Sequence, residues 1–554
     1  ACSTASSSPS SGTRALPFSP AQAAGRGGRP GESCVVWEGR PAPAMPSIPH
    51  ETELKLVLAP GEGAKVAATP PLAGAEGARA RYSAIYFDTP TRELSRHGLG
   101  LRLRREGRHW RVTLKASGST AAGLHQRPEW EYPVPGPVLD LSRFAGTPLA
   151  ELPGAASLHE RLAPTVTTEF RRTRWVLEPQ PGARLEVALD EGRIVARGRE
   201  HPLEELEIEV LDGPAAAAFD LAEALAAHLA LRPEPASKLA RGLELLDSAR
   251  PRPVHAAHEP VDQAPDAREA ARRTAAACLA HAQANEAGVL DSPDIEFVHQ
   301  LRVALRRLRS ALRLFGPVLQ PGEDGPFAED LRWAAATLGR CRDWDVFVTE
   351  TLPPLAAAHG DAAVARAVLA RARARQRDAR RAAREAIVSP RYGLAMIRLS
   401  RWVSAPAEPP EGAEPLKDFA SRSLRKGARR VREGAGAFAT LDAAGRHRLR
   451  ILVKRQRYAV EFLGSLFRAQ AVRRHVRALS RVQDALGLAN DCANALAHVA
   501  ELSPPAGFLE FARGWFAARE AAGIEAAARA LAVAAKERRF WRRKPPAPQA
   551  PPAA

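Results

Sequence analysis

The chain has 554 residues, 45% of them hydrophobic, which is too long for one ordinary domain and apolar enough to fill several cores. Its formal net charge is +18, and its five cysteines (Cys2, Cys34, Cys278, Cys341, Cys492) contain no Cys-x-x-Cys pair, which argues against a disulfide framework or a zinc site and fits a reducing cytosol. No apolar run is long enough to span a bilayer, so no membrane partner is expected.

The charge is unevenly placed. Residues 1–250 hold 30 Lys+Arg and 30 Asp+Glu, whereas the remainder holds 50 basic and 32 acidic residues. A neutral first half and a basic second half point to two tasks, the second involving a polyanion. Only nine basic residues are lysines, and their positions are informative because Lys and Arg differ chemically.

Residues 1–44, rich in Ser, Gly, Pro and Ala, are expected to be disordered, with Met45 a candidate translation start. They contain no apolar core of a secretory signal, so a cytoplasmic location is expected. From 45 to 248 the pattern is mostly strands with a charged face. Glu51, Glu53 and Lys55 alternate with Leu54, Leu56 and Leu58. The same alternation aligns Arg102 with Arg104, Arg111 with Thr113 and Lys115, and Arg127 with Glu129 and Glu131. It also aligns Glu186 with Asp190, and Glu205 with Glu207 and Glu209.

Alternation normally places charge in solvent. Here the polar face is almost wholly acids and Arg/Lys, which suits an antiparallel sheet curled around that face with helices covering its apolar side. Burying so much charge is costly unless the charges pair or bind ions. Clustered carboxylates (Glu51, Glu53, Glu207, Glu209, with Asp190) are hard ligands for Mg²⁺ or Mn²⁺, and clustered Arg and Lys donate to phosphoryl oxygens. Together they describe a metal–polyphosphate site.

This region resembles a CYTH domain of the triphosphate tunnel metalloenzymes. The resemblance rests on Glu51-Thr-Glu53-Leu-Lys55, Tyr86-Phe-Asp-Thr89, Leu101-Arg-Leu-Arg104 and Trp110 to Lys115, then Arg172-Thr-Arg-Trp175, Glu207-Ile-Glu209 and Ser237-Lys238. It implies an eight-stranded antiparallel tunnel acting on triphosphate compounds with a divalent cation. Carried onto this chain, Glu51, Glu53, Glu207 and Glu209 hold metal with help from Asp190. Lys55, Arg102, Arg104, Lys115, Arg172 and Lys238 grip triphosphate, and Lys55 orients or activates the attacking water. For the arginine of β-strand Arg171–Arg174 the spacing to Trp175 selects Arg172. Phe219–Leu231 has helical spacing and is expected to pack outside the barrel.

A Pro-punctuated linker is expected at 249–261, then Ala/Leu/Arg-rich helices over 262–542 and a disordered Pro-rich tail at 543–554. On the helix around 298–309, His299, Arg302, Arg306, Arg309 and Arg313 share a stripe beside Leu301, Leu305, Leu308 and Leu312. His447, Arg450, Lys454 and Arg457 restate it 148 positions later. Leu338-Gly-Arg-Cys-Arg-Asp343 recurs as Leu486-Gly-Leu-Ala-Asn-Asp491 at the same offset, which indicates a duplicated helical unit.

This half resembles a CHAD domain, a module often fused behind a CYTH domain, on both His-x-x-Arg helices, Arg342-Asp-Trp-Asp345 and Asn490-Asp491. The resemblance implies two pseudo-symmetric bundles binding inorganic polyphosphate through His299, Arg302, Arg306, Arg309, His447, Arg450, Lys454 and Arg457, with polyphosphate granules as one place of action. His299 and His447 are either phosphate donors or buried residues satisfied by a neighbour, and Asp343 and Asp491 are N-caps or arginine partners. The expected class is α+β multidomain, and the expected activity is metal-dependent inorganic triphosphatase. The alternatives are a non-enzymatic polyphosphate-binding protein and an adenylate cyclase or thiamine triphosphatase on the same tunnel. Few aromatics flank the basic stripes, which disfavours nucleic acid.

Overall fold

The computed structural model describes residues 50–541, apart from 248–250, 320–321, 323–324, 406–411, 413 and 538. The expectations for residues 1–44, Met45 and the tail at 543–554 fall outside these residues.

Ten strands form one sheet: β1 (His50–Leu58), β2 (Ala78–Asp88), β3 (Gly100–Glu106), β4 (His109–Lys115), β5 (Ser119–Ala121), β6 (Leu124–Val134), β7 (Ala163–Gln180), β8 (Ala183–Ala196), β9 (Arg199–Asp212) and β10 (Leu231–Pro233). The order is β10-β1-β9-β8-β7-β2-β3-β4-β6-β5, and β6 also pairs with β1. Eight strands therefore close into an antiparallel tunnel, with β10 and β5 added at its seam.

Closure turns the charged face inward. Cross-strand partners share a face, so the register strings interior residues into rows: Glu53 opposes Glu209, which opposes Glu186, and Glu51 opposes Arg127. The alternate residues form the outer core. Leu54, Leu56, Val187, Leu206 and Ile208 are fully buried beneath α1 (Ala216–Ala226), which supplies Phe219, Leu221 and Leu225. This is the helix expected over Phe219–Leu231, except that it ends at Ala226. Leu231 instead starts β10, whose Leu231–Pro233 segment pairs with Leu58–Leu56. A second helix, α2 (Lys238–Asp247), lays Leu239 and Leu243 against Tyr82, Tyr86 and Phe170.

Beyond the tunnel the described chain is helical: α3 (Ala267–Asp291), α4 (Ile295–Phe315), α5 (Gly325–Val346), α6 (Leu352–His359), α7 (Ala362–Ile387), α8 (Pro390–Ser404), α9 (Leu416–Gly436), α10 (Ala443–Phe462), α11 (Ala469–Glu501) and α12 (Ala506–Ala535). The duplication is visible in the element boundaries. Asp294 caps α4 and Asp442 caps α10, and each helix runs into a 3₁₀ turn at Gly316–Val318 or Gly464–Leu466. Every one of these pairs is separated by the sequence offset already noted.

The tunnel and the helices pack directly. α8 lies on β10 and α1, with Ile397 inside the tunnel's outer core. Gly393 is required there, because a Cβ would fall 1.7 Å from the Leu231 carbonyl oxygen. Arg398 and Arg401 reach Glu223 at 2.9 and 3.2 Å, and Arg401 reaches Asp220 at 2.6 Å. Buried Glu286 of α3 accepts from Tyr392 Oη at 2.6 Å and pairs with Arg232 of β10 at 3.2 Å.

At one rim of the tunnel, the buried Asp88 carboxylate accepts from the amides of Thr89, Leu94 and Ser95 and from Ser95 Oγ. It thereby holds the short Glu93–Arg96 helix in place. Asp88→Ala orphans these donors and is expected to cost about 2 kcal/mol of stability, read as a drop in urea midpoint. An unchanged midpoint would mean that water replaces the carboxylate.

Candidate active site

The tunnel encloses a cavity of about 550 Å³. Lys55, Arg102, Arg104, Lys115, Arg172 and Lys238 line it, as do Glu51, Glu53, Glu207 and Glu209. Asp190 is fully buried and is not part of the lining. Arg172 points inward and Arg171 pairs on the outer face with Glu191, while Arg174, of the same strand parity as Arg172, pairs with Glu106 and is not part of the cavity lining.

The carboxylates fall into two sets. In the first, Asp190, Glu205 and Glu207 lie close enough to hold one metal ion, yet are already met by cations of the chain. Lys238 Nζ is 2.8 Å from Asp190 and 2.9 Å from Glu207, and it also contacts Glu205. Arg172 grips Asp190 through two hydrogen bonds of 2.6 and 2.7 Å, and Lys55 and Arg241 contact Glu207 and Glu205. Burial opposes ionisation of Glu207, but Lys238, Lys55 and Arg172 hold its pKa well below the usual carboxylate range. Burial likewise opposes the charge on Lys55, and Glu207 and Glu53 nevertheless raise its pKa, so this amine stays protonated.

The second set is the row Glu53–Glu209–Glu186 with Glu51. Lys115 approaches Glu51 at 2.5 Å, Arg127 approaches Glu51 at 3.3 Å and Glu53 at 2.5 Å, and Lys55 lies 2.9 Å from Glu53. Glu209 and Glu186 have no salt bridge among the described residues. Burial, then Glu51, Glu186 and Glu53, push the Glu209 carboxyl up to about 7. Glu53 thus has Arg127 and Lys55 beside it, whereas Glu209 and Glu186 stand directly opposite each other on adjacent strands without a salt-bridging cation, an arrangement that destabilises a sheet. The lining is completed by Glu129, 2.8 Å from Lys115, and Glu131, 2.8 Å from Arg104.

Arg127, Glu205 and Arg241 were missing from the sequence-derived set. Arg127 shares the face of Glu129 and Glu131, and Glu205 that of Glu207 and Glu209, so strand parity would have found both. Arg241 lies on a helix and carries no such signal.

In the helical region α4 and α10 bring their stripes together. Arg302 lies near Arg306 and Arg450, and Lys454 near all three. The repeated Leu-Gly-x-x-x-Asp motif explains its residues here. The Arg302 guanidinium lies 3.4 Å from where a Cβ of Gly339 would stand, and that of Arg450 lies 3.6 Å from the equivalent position at Gly487. Asp343 and Asp491 follow one turn later, inside α5 and α11, so they are not N-caps; Asp491 pairs with Arg450 at 3.8 Å. Burial and then Arg450, Arg306 and Arg302 push Lys454 down to about 7. Arg306 donates to Tyr458 Oη at 2.8 Å, while Arg457 is engaged by Glu461 and Gln483. His447 Nδ1 lies 2.7 Å from Asn490 Oδ1, and the buried Nδ1 of His299 has no hydrogen-bond partner among the described residues.

A closed tunnel with a charged lumen, joined to a duplicated basic helical domain, defines the class of protein. The family model of the CYTH domain matches residues 49–243 and that of the CHAD domain residues 273–500. The chain therefore carries a CYTH domain followed by a CHAD domain. It is 35% identical over 159 residues to the inorganic triphosphatase of Haemophilus influenzae, a match covering 28% of this chain and 44% of that protein. The chain thus spans less than half the length of this curated relative. The CHAD domain of the plant Ricinus communis is 33% identical, with 51% of this chain and 96% of that one covered at a TM-score of 0.45. A Hippeastrum protein described as an adenylyl cyclase with dominant triphosphatase activity is 19% identical, covering 37% and 98% of the two chains at a TM-score of 0.29. Among the described residues no helix is long and apolar enough to cross a membrane.

Removing the Lys238 ammonium leaves three buried carboxylates with too few cations. Lys238→Met is expected to lose about 3–5 kcal/mol in metal-free buffer at pH 7.5. The deficit should narrow toward pH 5, because a carboxylate freed of its cation takes up a proton more readily. Thermal unfolding at the two pH values checks this, and a loss independent of pH would point to packing instead.

Proposed function

We propose that the tunnel hydrolyses inorganic triphosphate with Mg²⁺ or Mn²⁺ and that the helical domain binds inorganic polyphosphate. What carries this reading is the lumen itself, where Glu51, Glu53 and the unpaired Glu209 share one cavity with a ring of Lys and Arg donors. The name of the Haemophilus influenzae relative supports it.

The donor set fits a hard divalent cation, being all carboxylate oxygen with Glu209 left without a salt-bridging cation. Glu51, Glu53 and Glu209, with Glu186 beside them, would hold it. Asp190 and Glu207 have their own cationic partners and serve, with Glu205, to fix Lys55, Arg172 and Lys238. When bound, the cation neutralises charge on the phosphoryl oxygens. Lys115, Arg102, Arg104, Arg172 and Lys238 grip the triphosphate and oppose the charge that develops as the bond breaks. Water attacks the terminal phosphorus, the P–O–P bond breaks toward the bridging oxygen, and phosphate and pyrophosphate leave. Lys55, being protonated, orients the water or an oxygen of the substrate; it is not a base.

Purified protein should release phosphate from tripolyphosphate with Mg²⁺ or Mn²⁺ and fall silent with chelator. Glu51→Gln with Glu53→Gln should abolish turnover while leaving the fold intact by circular dichroism. Activity surviving that double change sinks the metal assignment. A panel of tripolyphosphate, ATP, thiamine triphosphate and long polyphosphate separates this reading from the alternatives on the same tunnel.

For the helical domain, Arg302→Ala with Arg450→Ala should weaken long-chain polyphosphate binding and lower the slope of log K against log salt by about 1–2. Lys454 is only partly charged above pH 7, facing Arg302, Arg306 and Arg450 with Asp491 near. An anion raises its pKa, so binding at pH 8 should take up protons, measurable as a buffer-dependent heat that Lys454→Met removes.

A further inference from the structure

Beside the inner cluster lies a second group of cations. Arg309 and Arg313 of α4, Arg332 of α5, Arg430 of α9 and Arg455 of α10 come from four helices that pack as neighbours. Arg309 lies within electrostatic reach of Arg313 and Arg332, and Arg455 of Arg309, Arg313 and Arg430. None of the five makes a salt bridge or a side-chain hydrogen bond among the described residues, and no carboxylate is among the charges that act on Arg309 or Arg455. All are exposed except Arg455, which is half-buried. Elsewhere on these helices arginines do find acids: Arg307 meets Glu461 at 2.7 Å, Arg391 meets Asp330 at 2.6 Å and Arg422 meets Glu414. The convergence of five unpaired guanidiniums is thus local, and a bound anion would lower their mutual repulsion.

The two clusters share α4. Arg302 and Arg306 belong to the inner one and Arg309 and Arg313 to the outer one, so eleven residues, or about 16 Å of helix, separate the ends. The inner cations are recessed, with the Arg450 side chain 18% exposed. A narrow, flexible, single-file anion can enter there; the phosphates of a stiff duplex cannot. The neighbouring ring of Tyr458 is already covered by Arg306, Arg307 and Arg457 and is not free to stack on a base.

We propose that the inner and outer clusters form one continuous track that selects linear inorganic polyphosphate by length, an inference that rests on the polyphosphate reading above. A triphosphate is too short to touch both ends of the track. A long chain engages both, and the second cluster then acts at a high effective concentration set by the first.

The test is calorimetric titration of the full chain, in divalent-free buffer to prevent turnover, with tripolyphosphate and with polyphosphates of increasing defined length. Wild type should tighten steeply with length and then reach a plateau. The triple variant Arg313→Ala, Arg430→Ala, Arg455→Ala should bind long chains at least tenfold more weakly, with a salt slope lower by about 2. Its tripolyphosphate affinity should match wild type. The tunnel is identical in both proteins, so its contribution cancels in the comparison. The corresponding triple Arg→Lys variant should restore most of the long-chain affinity, separating loss of charge from loss of fold. Equal weakening at every length, or no weakening, overturns the length-selective track. Duplex DNA binding as tightly as long polyphosphate, and losing as much in the variant, overturns the choice of ligand. Failure of wild type to bind any long polyphosphate overturns the underlying reading instead.

Discussion

The ammonium of Lys238, enclosed by Asp190, Glu205 and Glu207, is the contact on which the tunnel's organisation turns. It ties the start of α2 to β8 and β9, and so fixes the helix that seats Leu239 and Leu243 against the aromatic end of the lumen. Its three carboxylates also hold Arg172, Arg241 and Lys55. Opposite charges buried together hold one another in place, because freeing either partner exposes the other to an uncompensated interior. The result is a wall of donors already aimed inward, which is what charge stabilisation without reorganisation requires.

Farther along the same strands, β8 and β9, the balance changes. Glu53 is paired with Lys55 and Arg127, but Glu209 and Glu186 stand directly opposite each other with no salt-bridging cation among the described residues, a pairing that destabilises a sheet. The sheet is thus electrostatically complete around Lys238 and incomplete at Glu209 and Glu186. In the helical domain the inner group meets acids at Asp491 and Asp343, and the outer arginines make no salt bridge among the described residues, while neighbouring arginines are neutralised.

Much of this was legible in the residues. Alternation placed Glu51, Glu53 and Lys55 on one face, and the equal offset of His299/His447 and Asp343/Asp491 exposed the duplication. Tunnel closure was legible only as an inference from the kind of charge present, because an open sheet has the same period. The division of the carboxylates into those met by cations and the unpaired Glu209 and Glu186 was not legible. It depends on which residues stand opposite across β1, β9 and β8, and register is fixed by long-range pairing, not by local pattern. Parity did mark Arg127 and Glu205, but neither lies in the motif that drew attention. The glycine of Leu-Gly-x-x-x-Asp was visible as a repeat, yet its purpose, letting Arg302 or Arg450 lie across the helix face, needed the neighbouring helix.

The packing of α8 on β10 has a practical meaning for anyone dissecting the molecule. Ile397 fills a core otherwise made of Leu54, Leu56, Leu206 and α1, and Gly393 lets the two backbones touch. Cutting the chain between the tunnel and the helices would peel away part of a hydrophobic interior and strip Arg232 of Glu286. An isolated tunnel would display a sticky apolar scar beside the strand that carries Glu51, Glu53 and Lys55. Its failings in solution would then be those of a wound, and not of the chemistry inside.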